Sequence, residues 1–343
     1  MRIAVHGASG FTGGLAVAEL VRRGIEPVLV GRNADRLRAA AVASGVPDAE
    51  VRVAGLDDSV ALTAAFADCV AVVNCAGPFT RWGEPVVRAA IAAGRHYVDT
   101  TGEQRYLHRI LTEFGKDAEE AGVTVVPAMA DDGGPGDLIA ALTASRVPEV
   151  AEVVIADLRL PGSASRGTAR SMASVFEEGP WEFVDGEWIA ATEPGPEPIV
   201  PPGEAVAVPV SAFALPGVVT IPRHVRTRRV RSAIRTEVAA LFSALTSDIV
   251  ESIPESIARD ARQAGRWLMM AEAIGTDGRR ARGWVAGSDG YRLTAVIAVE
   301  AARRLAAGGA PAGALAPAEA FDAADFLDFL TPEAVTWQVE DLR

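Results

Sequence analysis

The first 130 residues alternate short apolar runs with amphipathic ones. Ile3–His6, Pro27–Val30, Val51–Ala54, Cys69–Asn74, His96–Asp99 and Val123–Pro127 read as strands. Between them, Leu15–Arg23, Ala34–Ala43, Ser59–Ala67, Glu84–Ala93 and Glu103–Ala121 carry apolar residues at helical spacing. Ser59, after Asp57 and Asp58, is the expected N-cap of the third helix, and Gly94 ends the fourth. This strand–helix alternation with short connections predicts an α/β fold with a Rossmann, doubly wound parallel sheet.

The texture changes from about Ala151. Glu152–Leu160 reads as a strand, and the Pro/Gly-rich stretch Glu193–Gly217 as sheet edge and loop, since apolar residues alternate through it. Val238–Leu245 and Ile257–Met270 predict helices. Gly275–Thr294 predicts two strands turning at Asp277–Gly278, and Thr294–Ala307 and Pro317–Leu330 predict helices. The expected organisation is a Rossmann domain over 1–131 and a second α+β domain over 132–305, with a mixed or antiparallel sheet. C-terminal helices over 306–343 return to the Rossmann domain.

Composition narrows the chemistry. Of 343 residues, 33 are basic and 45 acidic, a net charge of 33 − 45 = −12. The acidic balance argues against nucleic acid as a partner. The basic run Arg223–Arg235 reads as a solvated or pocket-lining face. Lys116 is the only lysine, in a polar helical run, so a Schiff-base lysine is not expected. No Gly-Lys-Ser/Thr triplet occurs, and Cys69 and Cys75 do not make a zinc motif, so no metal is expected. No run of about twenty apolar residues predicts a membrane span. Two cysteines and the lack of a signal-like segment predict a cytoplasmic protein.

The pattern Gly7-x-x-Gly10-x-x-Gly13 ends the first strand and opens the first helix. Its alternatives are a structural turn and a dinucleotide site, and the strand–turn–helix context favours the site. Gly7, Ser9, Gly10, Phe11, Thr12 and Gly13 are then cofactor-binding candidates, with the helix N-terminus toward the phosphates. The second strand ends Val30-Gly31-Arg32-Asn33, with Arg36 a turn later and no carboxylate at the tip. Arg32 suits a 2′-phosphate, which favours NADP over NAD. Asp35 reads as a helix N-terminal residue. Asn33, Arg36, Asp57, Asn74, Ala76, Gly77 and Pro78 complete the candidate cofactor set.

GASGFTGG, VGRNADRL and NCAGPFTRWGEPVVRAAIAAGRHYVDTTGE resemble the saccharopine dehydrogenase-like oxidoreductase family. Gly77, Pro78, Gly83, Glu84, Pro85, Tyr97, Asp99, Gly102 and Glu103 sit at family-like positions. Weaker echoes, Ser165-Arg166-Gly167-Thr168 and Gly287-Ser288-Asp289-Gly290-Tyr291, are similar to the enoyl-reductase-like branch. The loop Met129–Asp137 departs from the family pattern, being richer in glycine and lacking its aromatic residue. The family's substrate therefore does not carry over. The resemblance implies a homodimer.

The short-chain dehydrogenase dyad Tyr-x-x-x-Lys is absent: Thr101, Ile110 and Ala295 lie four residues after Tyr97, Tyr106 and Tyr291. The catalytic candidates at strand tips are Tyr97, Asp99, Glu103 and Asp132, with Asp131 beside the last. Structural roles compete: a helix N-terminal carboxylate for Glu103, a turn or cap for Asp99. Tyr97 and His96 alternate, so only one can face a cleft. His224 is a lesser candidate. Arg166 and Arg223–Arg231 could hold a carboxylate. The family implies imine, enoyl or carbonyl reduction, and scarce Tyr, Lys and His favours the first two, expected in secondary metabolism. The expected partner is a small-molecule substrate, carboxylate-bearing or carrier-tethered. The other class is an NADP(H)-binding redox-sensing regulator without turnover.

Overall fold

The computed structural model describes residues 1–191 and 195–342. Glu193, the first residue of the Pro-rich stretch, lies outside them. The chain forms two compact units. Unit 1 is Met1–Thr101, Arg105–Ala130 and Tyr291–Leu315; unit 2 is Gly102–Gln104, Asp131–Gly290 and Ala316–Arg343.

Unit 1 holds strands β1 (Arg2–His6), β2 (Glu26–Gly31), β3 (Val51–Val53), β4 (Ala71–Asn74), β5 (His96–Asp99) and β6 (Thr124–Val126). The helices between them are α1 (Phe11–Arg22), α2 (Ala34–Ala43), α3 (Ser59–Phe66), α4 (Phe79–Ala92), α5 (Gln104–Glu113) and α6 (Gly115–Glu120). The two-residue strand Gly313–Ala314 joins the sheet edge. The order is Gly313–Ala314, β6, β5, β4, β1, β2, β3, every pair parallel. Strand order therefore reverses between β1 and β4, the switch point where open α/β sheets bind ligands. Continuous apolar runs form these strands because both faces are covered: Ile3, Ala4, Val5, Val72, Val73 and Val98 are wholly buried. In α1, Gly13, Ala16, Val17 and Leu20 are buried at helical spacing. Each fully buried Val or Leu stabilises by about 1.5–3 kcal/mol.

One polar cluster lies inside this unit. Glu300, wholly buried in the helix Gly290–Ala307, pairs with Arg23 at 2.6 Å and with Arg303 and Arg304 at 2.7 Å each. Burial works against its charge, but these arginines hold its carboxyl below the usual range. Three local expectations change. The cap of α3 is Asp58, which accepts from Ala61 N at 2.9 Å, not Ser59. Helix α4 starts at Phe79 and carries Pro85 inside it. The expected single helix Glu103–Ala121 is broken at Phe114, before Gly115.

Unit 2 is built on a mixed sheet. Its strands are β7 (Val150–Asp157), β8 (Trp181–Val184), β9 (Glu187–Ala190), β10 (Val210–Ala212), β11 (Arg229–Arg235), β12 (Arg266–Gly275) and β13 (Arg280–Ser288). With Gly313–Ala314 as β14, the last is β15 (Thr336–Leu342). The order is β15, β13, β12, β7, β11, β8, β9, with β10 on β11; only β7 and β11 run parallel. Helix α7 (Gly134–Ala144) packs on β12 and β13.

The expected helix Ile257–Met270 is a short helix, Arg259–Ala264, followed by the start of β12. Trp267 and every residue from Met269 to Ala273 are buried, as in a central strand covered on both faces. Residues 306–343 do not all return to the first domain: Ala316–Arg343 belongs to unit 2, while Tyr291–Leu315 belongs to unit 1. The expected helix Pro317–Leu330 is two pieces, Pro317–Ala320 and Ala323–Leu330, both packed on α7. Asp322 caps the second, accepting from Asp325 N at 2.8 Å.

Candidate functional site

In unit 1 the glycine turn leads from β1 into α1. Gly7 has φ +76°, which L side chains rarely adopt, and a Cβ there would lie 2.9 Å from the Ala76 Cβ. Gly7 donates to Val30 O at 3.0 Å, and Gly10 N donates to Gly7 O at 2.9 Å. A Cβ on Gly13 would lie 2.2 Å from Gly7 O, so α1 can approach β1 closely only with glycine there. Gly10 is the N-cap of α1 and has no side chain to fold over its first-turn N–H groups. Ser9, Phe11 and Thr12 are half-buried around the turn, with the Phe11 ring 5.2 Å from that of Tyr291.

The other cofactor candidates stand at neighbouring strand tips. Arg32 is exposed after β2 and has no ion pair among the described residues. Asn33 caps α2, accepting from Arg36 N at 2.9 Å. Asp57 is exposed beyond β3, its carboxylate folded over Gly55. Ala76, Gly77 and Pro78 lead from β4 into α4, and the Gly77–Pro78 peptide is cis. A cradle that a Cβ would fill, the N-terminal end of α1 and an exposed arginine at the β2 tip fit a phosphorylated dinucleotide.

Beneath the turn lies a buried polar network. Asn74 Oδ1 meets His6 Nδ1 at 2.9 Å and accepts from Ala76 N at 3.1 Å, and Asn74 Nδ2 donates to the Tyr97 hydroxyl at 3.0 Å. Tyr97 and Tyr106 donate to Asp99 Oδ2 at 3.0 and 2.9 Å. Thr101 N and Ala128 N donate to Asp99 Oδ1 at 3.1 and 2.9 Å. Burial pushes the Asp99 carboxyl up to about 6, and these four donors oppose it. With both oxygens taken and no exposed surface, Asp99 and Tyr97 hold strand tips together. His96 turns elsewhere, accepting from Thr124 N at 3.1 Å. Cys75 is pushed up to about 12 by burial and the Asp99 charge, so its thiol stays protonated. Tyr106 and His6, members of this network, escape sequence inspection because no motif marks them.

Unit 2 carries a second polar centre. Arg159 ion-pairs with Asp157 and reaches Asp131 at 3.3 Å. Asp132 lies over Gly102, where a Cβ would be 2.7 Å from its Oδ2. Burial, then the Asp131 charge, push the Asp132 carboxyl up to about 7, against Arg159. No side-chain hydrogen bond holds that carboxyl among the described residues. A carboxylic acid poised near neutrality is what proton transfer uses. Glu103 is buried at the head of α5. Asp157 and Arg159 were not visible as site residues in sequence, though their i, i+2 spacing at a strand end places them on one face.

The arginine run is not a free cationic face. Arg223 pairs with Glu319 at 2.7 Å, Arg228 with Asp185 at 2.9 Å, Arg229 with Glu182 at 2.7 Å, Arg235 with Glu204 at 2.6 Å, and Arg231 with Glu152. Arg166 lies 3.6 Å from Glu255 and donates to Ile253 O at 2.8 Å. These arginines are occupied within the unit, which leaves Arg226, exposed in the same run, as the one arginine there with no ion pair among the described residues.

His224 Nε2 lies 2.8 Å from Asp137 Oδ1, whose other oxygen accepts from Ala318 N at 2.9 Å. Burial lowers the imidazole's affinity for a proton, but the Asp137 charge and hydrogen bond raise it above the usual value. A raised folded pKa means the stabilisation is complete below the unfolded value and is lost as pH rises through the folded one. The melting temperature should fall as pH rises above the ordinary imidazole value of about 6.5, and the fall should shrink in His224→Gln. An equal fall in wild type and variant would refute the assignment.

Comparison with known proteins gives this geometry a context. Residues 3–126 match the model of the saccharopine dehydrogenase NADP binding domain. A trans-acting enoyl reductase of Mycobacterium tuberculosis is 27% identical over 256 residues, covering 68% of this chain and 61% of its own. A lipid droplet localized protein of Caenorhabditis elegans is 34% identical over 146 residues, covering 40% and 34%. The chain thus spans between a third and three-fifths of the length of these curated relatives. The apo saccharopine dehydrogenase (L-Glu forming) of Saccharomyces cerevisiae superposes with a TM-score of 0.65 over 100% of both chains at 15% identity, a likeness of fold. No helix among the described residues is long and apolar enough to cross a membrane.

Proposed function

We propose, because residues 3–126 match the saccharopine dehydrogenase NADP binding domain, that the chain is an NADPH-dependent reductase of a small metabolite. The single observation that carries this reading is the cradle at the β1–α1 turn, with unpaired Arg32 at the β2 tip. When bound, NADPH supplies a hydride. The chain's residues bind it through the α1 amide ends and Arg32, and Asn74 steadies the wall of the turn through Ala76 N.

Asp132 is proposed as the proton donor, because its carboxyl is protonated in part near neutral pH and takes no side-chain hydrogen bond among the described residues. One partly ionised acid and no Tyr–Lys dyad suit an imine, which arrives protonated, or an enoyl C=C, protonated late at carbon, better than a ketone. The enoyl reductase among the relatives supports that choice. Secondary metabolism, a homodimer and the cytoplasm are further parts of the proposal.

The test follows NADPH absorbance with a panel of imines, enoyl thioesters and ketones. Oxidation with imines or enoyl thioesters is expected. Tight NADPH binding without oxidation across the panel would overturn the reductase reading in favour of a redox-sensing regulator. Arg32→Ala should cut the preference for NADPH over NADH by about 10–100-fold, the value of one or two charge-assisted hydrogen bonds. An unchanged preference would refute the role of Arg32.

A further inference from the structure

A cavity of about 330 Å³ in unit 2 lies at the ends of β7, β12 and β13. This is at the small end of the range for small-molecule sites. Leu158, Leu160, Pro201 and Pro202 give it apolar walls. Trp267 also lines it and is only 4% exposed, yet its indole Nε1 has no hydrogen-bond partner among the described residues. Gly287 lines the same cavity, and a Cβ there would stand 3.2 Å from that nitrogen. Glycine thus puts no Cβ against this buried N–H edge. The indole N–H can only donate, and a buried donor left unpaired costs about 1–3 kcal/mol. What this position lacks is an acceptor.

The charges in the cavity say which acceptor. Arg235 is held by Leu158 O at 2.8 Å and by Glu204 at 2.6 Å. Arg266, the first residue of β12, is exposed and has no ion pair among the described residues. One cation and one N–H donor therefore remain uncompensated beside an apolar wall.

We propose that this cavity binds a small carboxylate on a short apolar body of about four to eight carbons. The carboxylate accepts from Trp267 Nε1–H and pairs with Arg266, and the apolar body lies against Leu158, Leu160, Pro201 and Pro202. The inference does not depend on hydride transfer, since binding is read without cofactor.

The test uses the full chain with ¹⁵N-labelled tryptophan, whose six indole resonances include Trp267, assigned by Trp267→Phe. Hexanoate is titrated against hexanamide, its neutral analogue. Hexanoate should move the Trp267 resonance saturably, and more tightly than hexanamide. Arg266→Ala, at an exposed side chain, should weaken hexanoate by at least about tenfold and erase the difference from the amide. Should Trp267→Phe fail to fold, the indole resonance that Arg266→Ala shifts in the free protein is followed instead. An unmoved Trp267 resonance, equal binding of acid and amide, or a hexanoate curve unchanged in Arg266→Ala would each overturn the proposal.

Discussion

Replacing Gly13 by alanine should abolish tight NADPH binding and cost about 1–3 kcal/mol of stability or more, the range for forcing atoms into a packed interior. The added Cβ would lie 2.2 Å from Gly7 O, 2.8 Å from Gly7 C and 2.9 Å from Ala8 Cα. All three are backbone atoms of the turn that forms the cradle, and none can rotate away as a side chain does. Relief requires α1 to move off β1, which takes the first-turn amides after Gly10 with it. Gly10→Ala provides the contrast. Its Cβ would meet Gly7 O at 3.2 Å, a tight contact that a shift of a few tenths of an ångström relieves. Stability should then hold while affinity drops. Thermal melts and fluorescence titration with NADPH read both effects. Wild-type affinity in Gly13→Ala would refute this account of the turn.

Asp132→Asn should lower the rate of the proposed reduction by about 10²–10⁴-fold, the usual worth of a positioned acid, with little change in the affinity for NADPH. The acid must hold its proton, so wild-type activity should fall as pH rises through about 7. That limb should be missing in the variant. Stability should respond to the substitution in the opposite sense to activity. A carboxyl whose folded pKa is raised contributes stability that is full below the unfolded value and lost as pH climbs through about 7. At about pH 8 the asparagine no longer carries a charge beside Asp131 and Asp157, so the variant should melt at or above the wild-type temperature. A slow but more stable variant marks a proton donor; a variant that is slow because it is unfolded does not. Full activity, or a retained pH limb, would refute the role.

Much of unit 1 is legible in sequence because its determinants are local. Strand, turn and helix follow one another within a few residues, and the Gly7–Gly10–Gly13 spacing encodes both the turn and the close approach of α1. The absence of a carboxylate after Val30 is equally local, and Arg32 stands exposed there. The polar centre of unit 2 is different. Asp131, just before α7, meets Arg159, just after β7, 28 positions later in the chain. No spacing records that pairing. Helix α7 is buried on almost every side, from Gly134 to Ala140, so it shows no amphipathic period to find. The arginine run shows the reverse failure. It looks like a binding face only until the pairing of β11 with β7 and β8 supplies Glu152 and Glu182 to it.

The chain passes between the two units after Thr101, Gln104, Ala130, Gly290 and Leu315. Unit 1 therefore waits for its last pieces: the helix that brings Glu300 to Arg23, and the strand Gly313–Ala314 that pairs with β6. On a ribosome adding about 5–20 residues per second, the stretch from Ala130 to Leu315 takes on the order of 10–40 s to emerge. Through that interval the nascent sheet stands without Glu300 beside Arg23 and with the β6 edge bare. Vectorial synthesis cannot finish one unit before starting the other, so maturation of the nucleotide-binding half is tied to near-completion of translation. Cutting the gene after residue 130 would release a fragment without either closing element.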